Sequence, residues 1–138
     1  MAGPSASRTV IGGFSARRAA VRTARLLRDD RDIAAIISAV AEERAVNAHA
    51  LLQTSRGTAE IALARQLAMY LAHTLLGRTM EDVGDLLGRD RTTVAHACRV
   101  IEDRREKRDF DRAVERIESA VRAQQAAPLT EGVRHAAS

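Results

Sequence analysis

Residues 80–99 read MEDVGDLLGRDRTTVAHACR, and the spacing inside this run is that of two short helices joined by a tight turn. Gly88 falls where the first helix must stop and the chain turns with positive φ, while Gly84, four residues earlier, leaves room for a second helix to cross the first. Met80, Val83 and Leu87 on one helix, then Val94, Ala97, Cys98 and Ile101 on the next, supply the apolar faces that close the pair. The turn leads into Arg89, Asp90, Arg91, Thr92 and Thr93, a cluster of donors, acceptors and methyl groups suited to touching base edges. The run reads as a helix-turn-helix.

Working outward, Thr79 caps the first of these helices, with Asp82 three positions on, close to a capping box. Before it, Ile61 to Leu76 is the longest apolar stripe: Leu63, Leu67, Leu71 and Leu75 repeat every four residues, with Ala64, Ala68 and Ala72 beside them. Small residues beside leucines suit a helix buried against several neighbours, and Gly77 ends it. Residues 54–58, TSRGT, signal a turn in which Thr58 is the N-cap candidate. A short helix from Asn47 to Gln53 precedes that turn. Before it, Ile33, Ile36, Ile37, Val40 and Ala41 mark an amphipathic helix through Arg44, capped by Asp30 or Asp32. Downstream, a helix runs from Arg91 to Arg105, and a last one from Asp109 to Ala123 presents Phe110, Val114, Ile117 and Val121 on one face.

Composition points the same way. Phe14, Phe110 and Tyr70 are the only aromatics in 138 residues, so the core must come from Ala, Leu, Ile and Val, as in close-packed helices. Pro4 and Pro128 lie near the ends and interrupt nothing between. The expected architecture is all-α, a small helical bundle containing a helix-turn-helix. Residues 1–29 form a basic, disordered arm, residues 30–124 the domain with its helix-turn-helix at 80–105, and residues 125–138 a disordered tail.

The formal net charge is +4, and residues 1–28 carry six arginines with no acid, which fits a nucleic-acid partner. Eighteen acidic residues argue against a nonspecific polyanion binder. The arginines among alanines near the N-terminus have the composition of a transit peptide, but a solvated basic arm on a cytoplasmic protein is the plainer reading. One cysteine, Cys98, excludes an internal disulfide or thiolate metal cluster and reads as a small core residue. No run of 18 apolar residues is present to span a membrane. There is no GxxxxGK[ST] loop, HExxH pair or nucleophile elbow, so no enzyme, cofactor or metal is expected.

In a helix-turn-helix the residues that reach bases lie at the N-terminal turns of the second helix. Arg91 can donate two hydrogen bonds to guanine O6 and N7. Asp90 can accept from cytosine N4 or cap its own helix, and the Thr92 and Thr93 methyls can pack on thymine. His96 and Arg99 lie near the same exposed side, placed to meet phosphates or to remain ordinary surface residues.

Residues 64–102, ARQLAMYLAHTLLGRTMEDVGDLLGRDRTTVAHACRVIE, resemble the C-terminal DNA-binding domain (domain IV) of the bacterial replication initiator DnaA. The ARQ-AMYLA opening and the GRD-x-TTV-x-HACR-x-IE signature carry the likeness, which extends more loosely over residues 31–122. The resemblance implies a Trp-repressor-like helical fold and sequence-specific binding of double-stranded DnaA boxes. It places Asp90, Arg91, Thr92 and Thr93 in the major groove. It puts Arg56, within a residue of the family's loop arginine, in the minor groove, and Arg65, Gln66, Thr79, Arg89, His96 and Arg99 at or near backbone contacts. Two departures stand out. Family members usually have His where this chain has Arg91, and the loop before the long helix carries fewer basic residues than usual. An always-charged guanidinium reads guanine more readily than an imidazole, so the preferred site is expected to shift or relax.

The length leaves no room for the ATPase module that precedes this domain in DnaA. The expectation is therefore a stand-alone regulator in the bacterial cytoplasm, at the nucleoid, controlling replication initiation or transcription by occupying DnaA-box-like sites. The alternative is an interaction protein that binds DnaA or another replication protein, with DNA binding secondary. The sequence leaves the oligomeric state open: the resemblance implies a monomer, many helix-turn-helix regulators pair on palindromic sites, and no heptad run supports pairing.

Overall fold

Helix starts in this chain are fixed by short polar side chains that satisfy the first free N–H groups. The computed structural model describes residues 30–53 and 57–137, with the side chains of those up to residue 126. Within them the chain is all-α, with helices α1 (Arg31–Arg44), α2 (Ala48–Leu52), α3 (Ala59–Thr74), α4 (Met80–Leu87), α5 (Arg91–Arg104) and α6 (Arg108–Ala137). The expected arm at 1–29 lies outside the described residues.

Asp30 caps α1 by accepting from the Ile33 amide at 3.1 Å, which decides between the two candidate caps. Asn47 accepts from the His49 and Ala50 amides at 2.8 and 3.2 Å, Thr58 from Ile61 at 3.2 Å and Thr79 from Asp82 at 3.0 Å. The ends are equally local. Gly77 and Gly88 both turn at φ 70°, and Ala45 closes α1 at φ 56°, the one non-glycine residue with positive φ among the described residues.

The core gathers on α3, which packs against α1, α2, α4 and α5. Its Leu63, Ala64, Leu67, Ala68, Met69, Tyr70, Leu71 and Ala72 are all buried, so α3 runs through the middle of the bundle. From α1 come Ile33, Ile36, Ile37 and Val40, and from the helix-turn-helix Val83, Leu87, Val94, Ala97, Cys98 and Ile101. Val114, Ile117 and Val121 lay α6 along α1. That contact is reinforced by an ion pair between Arg116 and Glu43 at 2.8 Å and a Gln125–Asp32 hydrogen bond at 3.2 Å. Arg105 ties the end of α5 to both neighbours, bonding Asp111 at 2.5 Å on α6 and the Tyr70 hydroxyl at 3.2 Å on α3.

The last helix runs further than expected. On α6 no residue from 122 to 126 is buried, which is why the apolar pattern ends near Ala123, yet helical backbone continues to Ala137 through residues expected to be a disordered tail.

Asp30 has a second task. Both its oxygens receive the Arg78 guanidinium, at 2.6 and 2.9 Å, which pins the start of α1 to the loop between α3 and α4. The Arg78 hydrogen bonds, more than the Ile33 amide, hold the Asp30 carboxyl below its ordinary value of 3.8. A depressed carboxylate pKa stabilises the fold fully above the unfolded value, and that stability drains away as pH falls through the folded value. Asp30→Asn keeps the cap but not the pair. Acid titration of the wild type below about pH 4 is expected to show an extra loss, of about 1 kcal/mol, that is absent from Asp30→Asn; superimposable acid limbs would contradict it.

Candidate nucleic-acid interface

The second helix of the helix-turn-helix presents its first turn to solvent because the turn before it is locked. Gly88 sits in the left-handed region and its amide, like that of Arg89, bonds back to the Gly84 carbonyl. Gly84 is buried, and a Cβ there would come within 2.5 Å of the Arg89 carbonyl oxygen. The turn backbone thus rests directly on α4, which aims the next residues outward.

Asp90 caps α5 by accepting from the Thr93 amide at 2.8 Å. That bond, together with the Thr93 hydroxyl, holds the fully exposed Asp90 carboxyl below the usual aspartate value and ionised. Arg91 and Thr92 are exposed and Thr93 is half-buried. Thr92, His96 and Arg99 follow at steps of four and three along one face of α5, and both His96 and Arg99 are exposed. Arg91, His96 and Arg99 make no side-chain hydrogen bond or ion pair with any other residue among those described. A row of side chains with unused hydrogen-bonding capacity therefore runs along α5, with cationic groups at Arg91 and Arg99. Its buried face, Val94, Ala97, Cys98 and Ile101, holds the row rigid against α3 and α4.

Thr79 is exposed at the start of α4 and Gln66 is half-buried on α3. Arg56 lies outside the described residues. Two residues sit differently from the expectation. Arg65 is only 8% exposed and donates from Nε to the Leu51 carbonyl at 3.0 Å. Arg89 is half-buried, with one guanidinium nitrogen on the Gln53 carbonyl at 3.0 Å. Both are engaged at the C-terminal end of α2. Nothing in their residue type announces this, since backbone carbonyls carry no sequence signature; the only local sign is a helix too short to satisfy its own ends.

The exposed side of α4 is acidic, with Glu81, Asp82 and Asp85. Cys98 is buried, and burial followed by the nearby Glu102 carboxylate raises its thiol above the ordinary range, so it stays protonated and inert. Among the described residues no group of His, Cys, Asp and Glu side chains is placed to hold a metal ion, and no helix is long and apolar enough to cross a membrane.

Comparison with known proteins places this geometry. Residues 33–101 match the family model described as the bacterial dnaA protein helix-turn-helix. Over 57 residues the chain is 51% identical to the chromosomal replication initiator protein DnaA of Bordetella pertussis strain Tohama I, and equally to those of Bordetella petrii and Bordetella avium. The aligned stretch is 41% of this chain and 12% of each relative, so the similarity concerns one small part of those longer proteins.

Proposed function

Because the chain belongs to the bacterial DnaA helix-turn-helix family, we propose that it binds double-stranded DNA sequence-specifically through α5, at sites similar to DnaA boxes, and so regulates replication initiation or transcription. A helix-turn-helix of this family is a DNA-binding module and carries no catalytic machinery. The observation that carries the reading is the locked turn before α5, which leaves Arg91 and Thr92 exposed at the helix's first turn. A major groove admits one helix and is read by the side chains at its N-terminal end. Arg91 is assigned to guanine, Asp90 to the cap and an adjoining cytosine, and Thr92 and Thr93 to thymine methyls. Arg56 is assigned to the adjacent minor groove. Gln66, Thr79, His96 and Arg99 are assigned to phosphates, which fix register and carry no sequence information.

Fluorescence anisotropy with a DnaA-box duplex and a scrambled duplex of equal composition, across a salt series, tests the reading. Preference for the box is expected, with a log–log salt slope of several units. Equal, weak binding to both duplexes would overturn it. That outcome would favour a second reading, in which the acidic face of α4 (Glu81, Asp82, Asp85) meets DnaA or another replication protein and DNA is secondary.

A further inference from the structure

The C-terminal end of α2 is gripped from two sides by arginines of two other segments. This helix is only five residues long, and of its last carbonyls Ala50 O already accepts from the Gln53 amide at 3.3 Å. Arg65, from α3, donates to Leu51 O at 3.0 Å and to Ala50 O at 3.4 Å; Arg89, from the helix-turn-helix turn, donates to Gln53 O at 3.0 Å. Burial weakens the hold of both guanidinium groups on their protons, and for Arg65 the nearby Arg89 charge adds to it. Two like charges withdrawn from water beside each other are costly, and the negative end of the α2 dipole and the Leu51, Ala50 and Gln53 carbonyls they bond offset that cost. An arginine needed only for a phosphate has no reason to be drawn in this way.

Arg89 also immediately precedes Asp90, the cap of α5. One side chain therefore joins the base-reading turn to the point where the chain leaves α2 toward α3. We propose that Arg89, seated beside Arg65, is a positioning residue for DNA selectivity: it fixes the reading turn of α5 relative to the α2–α3 connection and does not contact a phosphate. The proposal rests on the DNA-binding reading above and adds that selectivity depends on how two neighbouring segments are held together. Binding sites tolerate only about 0.5 Å of misplacement, so a loosened α2 end is felt at the bases.

The test compares wild type, Arg89→Ala and Arg89→Lys, the lysine keeping the charge while losing the fork that reaches Gln53. The first readout is amide hydrogen exchange without DNA. Both variants are expected to exchange about tenfold faster at residues 50–53, as loss of a charge-assisted bond predicts, with residues 94–101 of α5 unchanged. Unchanged exchange at 50–53 would overturn the proposal whatever the DNA data show. The second readout is the ratio of affinities for the box and scrambled duplexes. It is expected to fall about tenfold in both variants, with the salt slope on the scrambled duplex unaltered. If instead Arg89→Lys keeps the wild-type ratio and Arg89→Ala lowers the slope by about one on both duplexes, Arg89 is a phosphate ligand and the proposal fails. If wild type itself prefers neither duplex, the DNA-binding reading has failed, while the exchange data still decide whether Arg89 holds α2.

Discussion

Gly84→Ala is expected to destabilise the protein by about 3 kcal/mol, because the new methyl meets backbone and not a side chain that can turn aside. The Cβ would stand 2.5 Å from the Arg89 carbonyl oxygen and 3.4 Å from the Asp90 carbonyl carbon. Relief requires the α4–α5 turn to lift off α4, which would pull Val83 and Leu87 away from Val94 and Ala97 in the core. In a helix interior alanine ordinarily improves on glycine by about 1 kcal/mol, so the sign of the effect is itself diagnostic. Thermal unfolding followed by circular dichroism should show the midpoint falling by more than about 10 °C. A rise in the midpoint would mean that the close approach at Gly84 is not what sets the turn. The neighbouring Gly88 makes a useful contrast: its substitution is penalised by φ 70°, at about 1 kcal/mol.

Arg91→Ala is expected to weaken binding to the preferred duplex by about 1–3 kcal/mol while leaving thermal stability within about 0.5 kcal/mol of wild type. The separation follows from its surroundings, since the Arg91 side chain is exposed and bonded to nothing else among the described residues. A base contact and a phosphate contact predict different patterns. Loss of a guanine contact relaxes selectivity at one base pair, whereas loss of a phosphate contact weakens all duplexes alike and lowers the salt slope by about one. Arg91→His sharpens the distinction, because imidazole lacks the planar fork that matches guanine O6 and N7. Selection from a randomised duplex pool is expected to give sites that differ at one position between wild type and the Arg91→His variant, the variant moving toward the usual DnaA box. Identical selected sites would show that residue 91 does not read bases.

The parts of this fold that are legible in the sequence are those decided within a few residues. The caps at Thr58, Thr79 and Asp90 and the stop at Gly88 each depend on one side chain or one φ angle, and all are readable as such. The apolar stripe of α3 is readable because its burial against several neighbours leaves leucine every four residues with alanine beside it. Contacts across distance are not readable. Asp30 and Arg78 lie 48 positions apart, and neither residue type names the other as its partner. The resemblance places Arg65 and Arg89 at or near DNA-backbone contacts, but their bonds to main-chain carbonyls of the α2 end are not readable, because any residue supplies a carbonyl. The length of α6 escapes for the opposite reason: beyond Val121 there is no burial through residue 126 for a pattern to record.

The unpartnered row on α5 has a consequence for substitution. Among the described residues the side chains of Arg91, Thr92, His96 and Arg99 bond to no other part of the bundle, while the turn that aims them is fixed by Gly84, Gly88 and the Asp90 cap. The stability of the bundle therefore rests on residues other than those of this row, and substitutions on the row leave the core and the caps untouched. If α5 reads bases as proposed, a single substitution at Arg91 or Thr92 retunes the preferred duplex while the protein stays folded. Arg91, where the resemblance leads one to expect His, is the position to which this applies first.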